Sequence, residues 1–266
     1  MIEERYGIEL VRELPAGESG NWEDGVRAEL ARIAHARTGQ IVLNTLRWYV
    51  EQGQATLRIW PWTGQDQNAN TSSWDEELPR AVHIQYSPST WRAGEADEIL
   101  LHELVHAVRH ASGRRAKCTR EAGCRFAGAL FSFSNREEFL AVLVENIYRS
   151  DPGRIGRRMP LRGSHASMQP MERSLADSLR FFAAGNQVFH LVSEFRRDHP
   201  VLFQLLARVP SRFNPLAAFE KDRQRAFELS LGTNRDAARY EEAFFDELAI
   251  ERMLRPPVDP LQPRSP

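Results

Sequence analysis

His102, Glu103 and His106 spell H-E-x-x-H, and that spacing limits the chemistry they can perform. Each residue of a helix turns about 100°, so the two histidines stack on one face with the glutamate beside them. Two imidazoles so placed can share a zinc ion at bonds of about 2.0–2.1 Å, with the carboxylate in reach of the water it activates. That is the equipment of a hydrolase in which Glu103 takes a proton from water and passes it to a leaving amine. The flanking residues predict a buried helix. Glu95 to Glu98 form an acidic first turn with Asp97 as the expected cap, and Gly113 offers a left-handed stop. Between them Ile99, Leu100, Leu101, Leu104, Val105 and Val108 cover most of the circumference. A helix apolar nearly all round, yet carrying His, Glu and His in one sector, needs a partner for its polar stripe, and a metal supplies one.

Catalytic zinc takes three protein ligands and keeps one position open. The metzincin pattern would place a third histidine ten residues after His102, where Ser112 stands, so that class is excluded. His110 lies about 80° around the helix from His102 and is poorly aimed at the same ion. A second apolar helix runs through Asn135–Tyr148, with apolar residues at 139, 140, 142, 143, 144 and 147. Glutamate-type zincins draw their third ligand from such a helix, often with a small residue three positions on. Glu138 with Ala141 fits that pattern, and Glu137 is the competing choice. The tetrahedral intermediate also needs an electrophile beside the metal. Tyr148 on the ligand helix and His165 in a Gly/Ser-rich loop are the catalytic candidates, with Arg162 a third possibility.

The stretch from Glu95 to Gly113, followed by Glu137 to Ser150, resembles the secreted bacterial zinc metallopeptidase effectors and related toxin domains. These include the type III effectors that cleave stress-activated MAP kinases. The likeness covers residues 80 to 170, where Arg162-Gly-Ser-His165 is similar to an Arg-x-x-His element that follows the ligand helix in such proteins. The resemblance implies His102, His106 and Glu138 as zinc ligands and Glu103 as acid/base. It does not carry a substrate with it.

These motifs need a scaffold, and the patterning predicts an α+β, zincin-like one: a small mixed sheet, an active-site helix and a helical C-terminal subdomain. Ala55–Trp60 and Ala81–Tyr86 alternate as strands, and Gln40–Val50 is rich enough in β-branched and aromatic residues to read as another. Residues 63–77 are polar and turn-rich, which predicts a loop and leaves the strand that carries His83 as the sheet edge. A helix is expected over Trp22–Arg37, stopped by Gly39. Beyond Pro170, helical spacing recurs at 171–184, 186–197, 200–208, 216–231 and 235–253. The expected organisation is therefore a metallopeptidase domain at 1–169, a helical subdomain at 170–255 and a disordered Pro-rich tail at 256–266.

With 35 basic against 36 acidic side chains, nothing favours broad nucleic-acid affinity. Cys118 and Cys124 are the only cysteines; their spacing permits a disulfide and argues against a structural zinc site. No apolar leader or membrane span is visible, so the chain reads as a soluble protein, cytoplasmic or exported into a target cell by a dedicated effector machine. The expected partner is a protein or peptide substrate, with no nucleic acid and no membrane; oligomeric state is not legible. The activity so read is a zinc endopeptidase of the effector or toxin kind, cleaving a host or competitor protein. The alternatives are a non-catalytic zincin-like binding protein and an intracellular regulatory peptidase. Glu103 favours an enzyme, because a purely structural site has no use for a general base.

Overall fold

A computed structural model of the chain describes residues 1–11, 19–62, 69–73, 78–88, 95–114, 136–163 and 170–232. Side-chain alternation builds the sheet. In β2 (Ala55–Pro61), Ala55, Leu57, Ile59 and Pro61 are buried, and in β4 (Arg80–Tyr86) Val82, Ile84 and Tyr86 are buried. These strands pair in parallel, with Ile59 opposite Ile84. A short β1 (Ile8–Leu10) joins β2 in parallel, and β3 (Ala69–Ser73) joins β4 antiparallel, giving the order β1-β2-β4-β3.

The third strand corrects the expectation of a loop there, and it displaces β4 from the sheet edge. Its sequence, Ala-Asn-Thr-Ser-Ser, has little apolar character to signal a strand. What holds it is backbone pairing on one side and hydroxyl bonds to a helix beneath, described below.

The second correction is Gln40–Val50, which is helical. After α1 (Ile2–Arg5), α2 (Ser19–His35) is followed directly by α3 (Arg37–Glu51). Thr38, Gly39, Ile41, Val42, Leu43 and Leu46 are the buried positions of α3, a helical stripe, so the 3.6-residue period overrides β-branched propensity. Asp151, from beyond the ligand helix, accepts from both the backbone N–H and the hydroxyl of Thr38 at 2.8 and 2.7 Å and so caps α3. Gly39 does not end the preceding helix; it sits in the first turn of α3 against the last turn of α2. A Cβ there would fall 2.0 Å from the Ile33 carbonyl oxygen, so only glycine permits the crossing.

Two helices carry the functional residues, α4 (Ala96–Ala111) and α5 (Arg136–Arg149), and they pack on each other. In α4 every residue except His106 is buried, and α5 is buried from Phe139 to Arg149. After a 3-10 turn at Arg180–Ala184 come α6 (Asn186–Asp198), α7 (Pro200–Ala207), α8 (Pro215–Lys221) and α9 (Arg223–Leu231). Their core is aromatic: the Phe189 ring lies 5.3 Å from Phe219 and 5.2 Å from Phe227, while Phe181 stacks on Phe139 of α5 at 6.1 Å. Only 180–184 of the expected 171–184 helix is helical, and Asp222 interrupts the expected 216–231 helix between α8 and α9. Residues 235–253 and the tail lie outside the described residues. Met1–Ser230 cluster as one compact unit, separate from Leu231 onward. No described helix is long and apolar enough to cross a membrane.

Gly39→Ala tests the helix crossing. In an open helix this change stabilises by up to about 1 kcal/mol. Here we expect destabilisation of about 1–3 kcal/mol through overpacking against Ile33, read as a lower denaturant midpoint. A variant as stable as wild type would contradict the close approach.

Candidate metal centre

The centre begins with the register of α4. Glu95 is its N-cap, and the Glu95 backbone N–H donates to Glu98 Oε2 at 3.2 Å, so Asp97 is not the cap that its position suggested. From that start His102 and His106 fall on one face, and their Nε2 atoms stand 3.1 Å apart. Glu138, in the first turn of α5, brings Oε2 to 3.0 Å from His102 Nε2 and 3.4 Å from His106 Nε2. These three are the one group of metal-ligating side chains among the described residues with ligand atoms all within 4.8 Å of one another. An ion bound tetrahedrally at about 2.05 Å separates its ligands by about 3.3 Å. The observed triangle therefore has the edge lengths that such an ion requires.

Glu137, the competing choice, is turned away. Its carboxylate takes a bidentate pair from Arg109, both bonds at 3.0 Å, and is 5% exposed. The Arg109 guanidinium reaches on to Asp198 at 3.4 Å, so the acid next to the ligand anchors α5 to α4 and to the end of α6. His110 is also committed elsewhere, with Nδ1 2.6 Å from Ser73 Oγ on β3.

Behind the triangle lies a buried ionic network that the sequence reading missed. Glu145 Oε2 is 3.2 Å from His102 Nδ1, the imidazole nitrogen that faces away from the triangle. A carboxylate there holds the proton on Nδ1 and leaves Nε2 as the lone pair presented to a metal. Glu145 is completely buried, and its charge is balanced by Arg162 Nη1 at 2.6 Å and Arg149 Nη2 at 2.7 Å. Arg149 also meets Glu98 at 2.8 Å, and Arg154 meets Glu98 at 2.8 Å and Asp97 at 3.3 Å. Burial opposes ionisation of Glu145, but Arg149, Arg162 and His102 hold its pKa down at about 2. For Glu98 burial wins and pushes the pKa up to about 7 against the pull of Arg149 and Arg154. Glu145 could have been found from its position: it follows Glu138 by seven residues, two helical turns, inside an otherwise apolar run.

Glu103 is 7% exposed, and its Oε2 accepts from Thr71 Oγ1 at 2.6 Å. Tyr148 is fully buried, donates its hydroxyl to Asp97 at 2.6 Å and stacks beneath Arg154. Burial, reinforced by Asp97, holds its phenol well above the ordinary range, so it stays protonated. Arg162 is drawn to Glu145 and clamped by Asn146, whose side chain both accepts from the Arg162 N–H and donates to its carbonyl. His83 on β4 accepts from Trp60 Nε1 at 2.9 Å. His165, Cys118 and Cys124 lie outside the described residues.

Two imidazole nitrogens and a carboxylate oxygen this close repel one another unless a proton or a cation sits among them. Burial works against charge on His102, yet Glu138 and Glu145 outweigh it and push its pKa up to about 9. The metal-free protein thus holds a proton on His102 below about pH 9, and a metal must displace it. We expect release of about one proton on metal binding at pH 7.5, and an apparent affinity that rises about tenfold per pH unit up to about pH 9. Calorimetry in two buffers of different ionisation enthalpy counts that proton. Binding without proton release would contradict the arrangement.

No curated protein and no solved structure matches the chain. A family model of effector proteins, peptidase M91, matches residues 12–147, a span that includes β2, β3, β4, α4 and most of α5. With the His102-His106-Glu138 triangle inside that span, the chain belongs to the M91 family of bacterial effector peptidases.

Proposed function

We propose that this effector peptidase is a zinc endopeptidase that cleaves a protein inside a target cell. The observation that carries the reading is the spacing of His102 Nε2, His106 Nε2 and Glu138 Oε2 at 3.0, 3.1 and 3.4 Å, which suits a tetrahedral ion. Two nitrogens and one carboxylate oxygen form a donor set of the kind catalytic zinc takes in other peptidases. Zinc held there supplies Lewis-acid polarisation of a carbonyl and brings water within reach of ionisation near neutral pH.

The chain's own residues divide the remaining work. Glu103, beside both histidines on α4, accepts the proton of the attacking water on its carboxylate and delivers it to the departing amine. Glu145, with Arg149 and Arg162 behind it, holds the His102 ring in the tautomer that ligates through Nε2. Tyr148, bound to Asp97, ties the ligand helix to the first turn of α4. His165 is our proposed donor to the tetrahedral oxyanion. An extended peptide would lie along β3, the last strand in the order β1-β2-β4-β3 among the described residues. A strand-like mode of binding supports cleavage within a chain. The family's effector character supports delivery into another cell by a dedicated export machine.

Metal content and cleavage test the proposal together. Wild type is expected to hold about one zinc per chain, His102→Ala to lose it and Glu103→Ala to keep it. Terminal-amine profiling of a treated cell lysate should show new termini with wild type alone. Cleavage that survives Glu103→Ala, or wild type that takes up no zinc when metal is supplied, would contradict it.

A further inference from the structure

β3 does more than close the sheet. Alternation along Ala69–Ser73 turns Thr71 and Ser73 toward α4, and both hydroxyls are engaged there: Thr71 with Glu103 and Ser73 with His110. Glu103 and His110 are seven residues apart, two turns of helix, so one short strand is stitched to one face of α4 at two levels. Opposite Thr71 in the register is Ile84, whose strand sits inside the sheet and fixes the height of the hydroxyl.

Thr71 Oγ1 lies 2.6 Å from Glu103 Oε2 and 3.1 Å from the Glu103 carbonyl oxygen. A hydroxyl has one proton, and the shorter, charged acceptor takes it. Thr71 is itself 6% exposed, and its branched Cβ restricts χ1, so the donor is held still. The carboxylate torsion of a glutamate is otherwise broad and roughly two-fold. An oxygen that already accepts a hydrogen bond is the less basic of the two, so the bond to Oε2 favours Oε1 as the oxygen that takes up a proton.

We propose that Thr71 is the positioning residue for Glu103: its hydroxyl fixes the carboxylate so that one defined oxygen acts as the base. The inference rests on the reading of Glu103 as general base, and it assigns a role in the reaction to a strand whose polar sequence reads as a loop.

Thr71→Val removes the proton at nearly constant volume, and Thr71→Ser restores it. The probe is a peptide library made from a cell-lysate digest, with kinetics on its best-cleaved member and zinc content measured alongside. For Thr71→Val we expect kcat to fall about tenfold or more with KM within about twofold, unchanged zinc stoichiometry, and recovery of most of kcat in Thr71→Ser. In the metal-free wild type, NMR should also show a slowly exchanging threonine hydroxyl proton that is lost in Thr71→Val and moves upfield in Glu103→Ala, where only the backbone carbonyl of residue 103 is left to accept it. Wild-type kcat in Thr71→Val beside an inactive Glu103→Ala would overturn this inference alone, as would a hydroxyl signal at its wild-type shift in Glu103→Ala. Activity in Glu103→Ala would overturn the base assignment on which it stands.

Discussion

Three lone-pair atoms of His102, His106 and Glu138 meet in a largely buried place, no two more than 3.4 Å apart. Left alone they repel, and a desolvated carboxylate beside two imidazoles is costly to maintain. Much of the surrounding structure reads as the means of enforcing that convergence. α4 must be buried almost all round to keep both histidines in register, and α5 must pack against it to present Glu138. Glu137, one residue earlier, is pinned by Arg109, which fixes the rotation of α5 about its axis and so decides which of two adjacent acids faces the histidines.

The ionic network behind the site follows from the same constraint. His102 needs its outer nitrogen held, and a buried carboxylate holds it best. Glu145 can stay ionised there only because Arg149 and Arg162 accompany it into the interior. Those cations in turn bring Glu98, and Arg154 joins Glu98 to Asp97. Removing one member of such a network leaves an unpaired buried charge, typically a loss of 3–5 kcal/mol, so the network commits the fold to one arrangement. It also explains why the segment after α5 folds back, with Arg154 over the first turn of α4 and Arg162 on α5 itself.

The site was more legible in the sequence than the fold that carries it. His102, Glu103 and His106 were readable because a five-residue spacing on a helix maps directly to geometry. Glu138 was readable as one of two neighbours; separating it from Glu137 required Arg109, a contact across 28 residues of chain. Glu145 was passed over because an acid in an apolar run looks like an exposed face, and its partners lie on other segments. The sheet misled in two places. Gln40–Val50 carries strand-like residues on a helical stripe, and burial decided for the helix. Ala69–Ser73 carries loop-like residues in a strand, because the hydroxyls of Thr71 and Ser73 find partners on α4. Tyr148 was singled out as a catalytic candidate, and its hydroxyl donates to Asp97.

Whether His102, His106 and Glu138 bind one metal ion is decided by anomalous diffraction from zinc-grown crystals at the zinc edge. We expect a single anomalous peak about 2.0–2.2 Å from both Nε2 atoms and from a Glu138 carboxylate oxygen, with Glu145 on His102 Nδ1. A peak ligated through Glu137 or through a histidine Nδ1 would contradict it, as would crystals in which the triangle holds no ion.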